Sequence, residues 1–383
     1  MNLQKRLYTS AFVNSFGSWL TFLAVALLVK EKYGGQQVAW VFLVQTLPAI
    51  IFSRGLSNLI PEKYQEKVYY ASQILLAANS FVLCFNQGLP VLYFHLVVGS
   101  FIKSVSNPLF NTLVGRWISN DKLKDVFTKI GSIQTSTLAL APIIGAWVKI
   151  VSSYELLFFL DAVSFVIAAL VLNSVLLQTS GREKSESKIL FKDFFSGIAA
   201  MPKDIPSNLK MSLILWFGFL VLGAFLNALE FPGFERLHMS EASIGYALAA
   251  WGVGSLIAFI KKNSLSTSSL CILFVVSLIL FFAAPSPAIA VISFAAAGWA
   301  SAHFSGALRA DIQSAVPEGY NALPVWAFAN QVTQLINLVA YASVGLLLAR
   351  LGFTLFSALI VVIGLLIQIA ISYPSVLAKK ARS

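Results

Sequence analysis

Two cysteines in 383 residues leave little room for sulfur chemistry. Cys84 and Cys271 fall in separate apolar stretches without disulfide or metal-ligand spacing, and both read as small packing residues. Charge is also scarce: Asp, Glu, Lys and Arg make up 11% of the chain, too little for an ordinary soluble surface. No Walker A loop is present, so direct ATP coupling is not expected. No nucleophile–base pair or metal constellation occurs at a workable spacing, so we expect neither an enzyme nor a cofactor or metal. No segment alternates like a barrel strand.

What fills the chain is hydrophobic runs, each close to the roughly 20 residues that cross a bilayer. The runs are Tyr8–Val29, Val38–Ile60, Val68–Cys84, Val91–Leu113, Phe127–Ile150 and Leu156–Leu177. After a charged stretch come Met211–Leu229, Ile244–Ile260, Ser269–Ala284, Ala288–Ile312, Leu323–Leu348 and Phe353–Ile371. Lipid offers backbone groups no partner, so an all-α membrane protein of 12 transmembrane helices is expected. Its divisions would be residues 1–177, a six-helix half; 178–210, a cytoplasmic hinge; and 211–383, a second six-helix half. Within the hinge, Ile189, Leu190, Phe191, Phe194, Phe195 and Ile198 share one face of a predicted amphipathic helix at the headgroup layer. The first run is too long for a signal peptide and reads as a retained helix.

The net charge of +11 is explained by its distribution. With both termini in the cytoplasm, most of the 27 basic residues fall on the inner side, as the positive-inside rule requires. The expected partners are therefore membrane lipids and not nucleic acid. A weak repeat supports the two halves: Asn107–Leu177 and Gly306–Ile371 share a helix, a short polar turn and two more helices. The turns are Ser119–Lys122 and Val316–Gly319.

Several motifs, in order, resemble the major facilitator superfamily. They are Phe159-Leu160-Asp161-Ala162-Val163-Ser164-Phe165; Phe195-Ser196-Gly197-Ile198 ahead of Met201-Pro202; Gly245 through Gly252-Val253-Gly254; and Gln313-Ser314-Ala315-Val316-Pro317. Within that superfamily they look like the macrolide-efflux branch of drug:proton antiporters, which includes siderophore exporters. Ala141-Pro142-Ile143-Ile144-Gly145-Ala146 is similar to a degraded antiporter motif, in which Pro142 and Gly145 would allow a helix bend. The resemblance implies export of an amphipathic small molecule (a drug, macrolide or siderophore) by alternating access, exchanged for protons, in a bacterial inner membrane. A monomer is expected. Asn321-Ala322 also looks like the lysophospholipid-transporter branch, which gives a lipid-like substrate as the alternative; a non-transporting scaffold or sensor is a third. The loop Ser57–Lys67 departs from the usual charged motif, with Ser57 for Gly and Pro61 for Asp, so gating through other contacts is expected.

An ionisable residue in mid-membrane is costly and is a functional candidate. Lys103, near the middle of the fourth run, could bind an anionic group, change charge during the cycle, or form a structural ion pair with Asp161. Asp161 could carry a proton or cap its helix, and Glu230, Arg309 and Asp311 are further proton-coupling or gating candidates. Asn330, Gln334, Asn337 and Tyr341 recur at spacings of 4, 3 and 4, with Gln331 alongside, and form one polar stripe suited to a pore or to helix contacts. Gln134 and Asn227 are additional substrate-binding candidates. Asn14, Ser18, Thr21, Gln45, Ser136 and His303 carry weaker signals.

Overall fold

A computed structural model describes residues 2–179, 188–189, 205–261 and 265–380. The apolar runs fold as helices: α1 (Leu3–Tyr33), α2 (Gly35–Asn58), α3 (Gln65–Val82), α4 (Leu89–Trp117), α5 (Asn120–Val151) and α6 (Tyr154–Thr179). They are followed by α7 (Ser207–Arg236), α8 (Glu241–Ile260), α9 (Thr267–Phe282), α10 (Pro287–Ala315) and α11 (Leu323–Lys380). Polar caps set several boundaries: Asn2, Ser240 and Ser266 each accept a backbone N–H at a helix start. The bounds exceed the apolar runs because backbone pairing continues into polar flanks, as at α1 and α5. The expected turn at Ser119–Lys122 shrinks to a boundary, since α5 is helical from Asn120. The turn at Val316–Gly319 is present, with Gly319 at φ 79 and Tyr320 N–H bonded to Pro317 O. α11 breaks at Gly352 (φ 72), a conformation that costs any residue with a β-carbon.

Among the described residues, six helices are long and apolar enough to span a membrane. α2 and α3 together pass the same test across a 113° bend. Their surfaces invert the soluble pattern. Ile51, Leu75, Phe94, Ile260 and Leu366 are exposed, while Gln65, Gln73, His95, Asp161 and Ser255 are buried. Such a surface suits hydrocarbon, and the buried polar groups must find partners inside.

Contacts divide the chain into two compact units. The first comprises Met1–Asn120, Leu140–Pro206 and Val316–Leu335; the second comprises Asp121–Ala139, Ser207–Ala315 and Ile336–Ser383. In the first, α1 packs on α6, α2 on α4, and α3 on both α4 and α6. Its apolar core includes Leu20, Leu28, Leu83, Leu92 and Phe158. The opening turns of α11 belong here too. In the second unit, α10 packs on α7, α8 and α9. Gly254 and Gly298 bring α8 and α10 into backbone contact; a β-carbon at either would meet a carbonyl oxygen at 2.0 or 2.2 Å. Phe234, Phe281 and Phe294 form an aromatic cluster there, with ring centroids 4.6–5.6 Å apart.

A two-residue strand β1 (Lys188–Ile189) pairs in parallel with β2 (Tyr320–Asn321). These two residues are thus extended, where the sequence predicts the start of an amphipathic helix. Leu190, Phe191, Phe194, Phe195 and Ile198 lie outside the described residues.

Candidate functional site

The first unit contains a partly open cavity of about 40 Å³ with polar side chains in its lining. Helical spacing assembles it. Ser18 and Thr21 come from one face of α1, Asn79 and Ser80 from α3, and His95, Gly99, Ser100 and Lys103 from one face of α4. Gln45 of α2 and Asp161 and Phe165 of α6 complete the polar lining and one apolar wall.

Asp161 is 2% exposed. Its Oδ2 accepts hydrogen bonds from Thr21 Oγ1 (2.7 Å) and Ser80 Oγ (2.8 Å), tying α6 to α1 and α3. Its Oδ1 is buried without a hydrogen-bond partner. Among the described residues, Lys103 donates only to Ser18 Oγ, at 3.3 Å, and its ammonium lies 5.8 Å from the Phe165 ring centroid. No N–O pair within 4.0 Å joins Lys103 and Asp161. The direct ion pair among the sequence alternatives is therefore not formed.

His95 is held by α3. Its Nδ1 lies 3.0 Å from Asn79 O, while Asn79 Nδ2 donates to His95 O at 2.9 Å. Asn79 Nδ2 lies 3.0 Å from the same Nδ1, so that nitrogen has both a donor and an acceptor of Asn79 beside it, and the ring lines the cavity.

The other predicted residues are dispersed. Asn330 Nδ2 donates to Ser53 Oγ (3.2 Å) and Gln331 Nε2 to Ile50 O (2.5 Å), so this end of the α11 stripe binds α2. Gln334 and Asn337 are half-buried, and Tyr341 is 55% exposed. Asn330 and Gln334 belong to the first unit, Asn337 and Tyr341 to the second. In the second unit, Arg309 Nη1 donates to Gln134 Oε1 (3.4 Å), and its guanidinium lies 5.4 Å from the Trp216 centroid. Asp311 is exposed and makes no ion pair with Arg309. Asn227 is exposed, Glu230 is half-buried, and His303 packs edge-on to Trp299 at 4.7 Å. Pro142 lies within α5. A β-carbon at Gly145 would stand 2.9 Å from Leu23 Cδ2, so this glycine permits close packing of α5 on α1.

The altered loop after α2 still pairs charges, but through other residues. Arg116 Nη2 lies 2.8 Å from Glu62 Oε1 and donates to Gln65 Oε1 at 2.7 Å, and Glu66 lies 4.0 Å from Nη1. Gln65, fully buried, passes the contact on by donating through Nε2 to Asn321 Oδ1 (2.9 Å), which also accepts the Leu323 N–H (3.0 Å). The loop, α4 and the start of α11 are thereby linked inside the first unit.

Sequence reasoning missed Asn79, Ser80, His95 and Ser100. The spacing of His95, Gly99 and Lys103 carried a signal for the α4 face, since residues four apart stack along a helix. Among the described residues, no cluster of three His, Cys, Asp or Glu could hold a metal.

No curated protein sequence matches the chain. Among solved structures, it is similar to a bacterial homologue of the iron transporter ferroportin in an outward-facing state, with a TM-score of 0.75 and 17% identity. That alignment covers 98% of this chain and 100% of the other. The same homologue with soaked iron gives a TM-score of 0.73 and 16% identity over 97% and 98% of the two chains. The human organic anion transporter MFSD10 (TETRAN) gives 0.71 and 15% over 96% and 100%. At these identities the likeness is one of fold. The sequence pattern of the Major Facilitator Superfamily matches residues 7–323.

Proposed function

The chain belongs to the Major Facilitator Superfamily, a family of multi-pass membrane transporters and not enzymes, and we propose that it exports an amphipathic small molecule from a bacterial cell by alternating access. In this reading twelve spans form two six-helix halves, at residues 1–177 and 211–383, joined by a hinge at 178–210. Both termini are cytoplasmic, and the transporter acts as a monomer in the inner membrane.

The observation that supports this most is Lys103 in a membrane helix, lining the same cavity as Asp161 without a direct ion pair. A purely structural lysine at such depth should be neutralised by contact, because the bilayer penalises an open charge. An open cation beside a buried carboxylate supports a site whose charge balance shifts when a cargo or a proton arrives. Asp161 is accordingly the proton-binding candidate, with Lys103 and His95 the other titratable groups of the cavity. The lysophospholipid alternative drew on Asn321, and that residue is occupied in holding Gln65 and the first turn of α11.

Transport by the full chain in proteoliposomes tests the reading. Labelled amphipathic solutes are offered under an imposed pH gradient and, separately, under an imposed membrane potential. Movement of a solute under either force, lost in Lys103→Ala, is expected. Undiminished transport by Lys103→Ala would remove the cavity from the pathway, and movement of lysophospholipid alone would select the lipid reading.

A further inference from the structure

We propose that the end of the cargo held in the first unit is an anion, whose charge Lys103 receives. The inference rests on the transporter reading and specifies the chemistry of that cavity.

The free valences of the lining decide the sign. Asp161 is the one carboxylate lining the cavity, and it is already committed. One oxygen takes two hydroxyl hydrogens, and the other is buried against α1, where a β-carbon on Gly17 would stand only 2.7 Å away. A cationic cargo would therefore find no carboxylate surface to pair with, and it would meet the Lys103 ammonium. That ammonium has three hydrogens and spends one, on a long bond to Ser18. An anionic oxygen would complete its shell with stronger, charge-assisted bonds.

Phe165 and Phe22 supply apolar lining beside the ammonium. The chemistry assigned is a carboxylate or similar anionic group at the end of an apolar cargo. The same arrangement disfavours a divalent cation, which Lys103 would repel.

Calorimetry on the full chain in nanodiscs can use two probes of one size, benzoate and benzylammonium. For the wild type, benzoate should bind and benzylammonium should not bind measurably. Lys103→Met, which keeps the apolar stem, should weaken benzoate by about tenfold or more. Wild-type ranking needs no variant to fold, and it decides the sign alone. Tighter binding of benzylammonium than of benzoate would overturn the proposal, as would absence of anion binding at millimolar concentration. Binding is read apart from movement, so anion binding with no transport would count against the transporter reading and leave this inference standing. Lys103-independent transport of a cation would do the reverse.

Discussion

Gly17 of α1 lies so close to Asp161 of α6 that a β-carbon on the glycine would stand 2.7 Å from Asp161 Oδ1, and 2.0 Å from Ser164 Oγ. The absence of a side chain at one position lets two helices close around a buried carboxylate and lets Thr21, one helical turn on, reach its other oxygen.

Gly17→Ala should therefore force α1 and α6 apart and destabilise the protein by about 1–3 kcal/mol, the usual cost of overpacking. Thermal unfolding in detergent checks this against Gly223→Ala. Gly223 lies inside α7 with nothing within 4 Å of its would-be β-carbon, so that change should be neutral or stabilising. Equal melting temperatures for the two variants would refute the close contact.

Asn321→Ala should cost about 1–3 kcal/mol, because it leaves the Gln65 amide and the Leu323 N–H buried without their acceptor. Asn321→Asp retains an acceptor oxygen and should recover most of that loss. A melting temperature unchanged in Asn321→Ala would show that these bonds are not needed.

The fold was readable because hydrophobic run length is a coarse signal that survives without detailed patterning. Each predicted run overlaps a helix, and the α11 break falls at Gly352, between the last two predicted runs. Among the described residues, however, only six helices and the bent α2–α3 pair are long and apolar enough to span. The site was half readable. Lys103 and Asp161 stood out because charge in an apolar run is conspicuous. Asn79, Ser80 and Ser100 did not, because small polar residues are common in membrane helices, where most bond only to their own backbone, as Ser277 and Ser293 do here. Which of them turns toward a neighbour depends on helix rotation, and apolar runs do not encode rotation strongly. The α11 stripe shows the same limit: its period was correct, yet Asn330 and Gln331 serve contacts with α2.

Gln334 offers the converse test. It is half-buried and makes no hydrogen bond among the described residues, so Gln334→Ala should shift stability by no more than about 0.5 kcal/mol. If the stripe contacts cargo, transport should nevertheless fall several-fold. Asn330→Ala should do the opposite, lowering stability because it removes a bond to Ser53. Comparing melting temperatures with initial transport rates separates the roles, and full transport by Gln334→Ala would exclude this residue from the pathway.

Asp161→Asn discriminates between cargo charges through the sign of its effect. The substitution keeps an oxygen for Thr21 and Ser80 while removing the negative charge of the one carboxylate in the cavity lining that contains Lys103. With that counter-charge gone, the lysine presents its full field to whatever enters, and in a low-dielectric cavity an unpaired charge acts strongly. Benzoate affinity should therefore rise several-fold, although a buried carboxylate has been lost. A cationic cargo held by the carboxylate would behave oppositely and lose affinity on the same change. Since Asn also abolishes proton uptake at this position, any dependence of transport on a pH gradient should disappear together with the gain in anion affinity. Weaker benzoate binding in Asp161→Asn, with an unchanged melting temperature, would show that the carboxylate itself contacts the cargo.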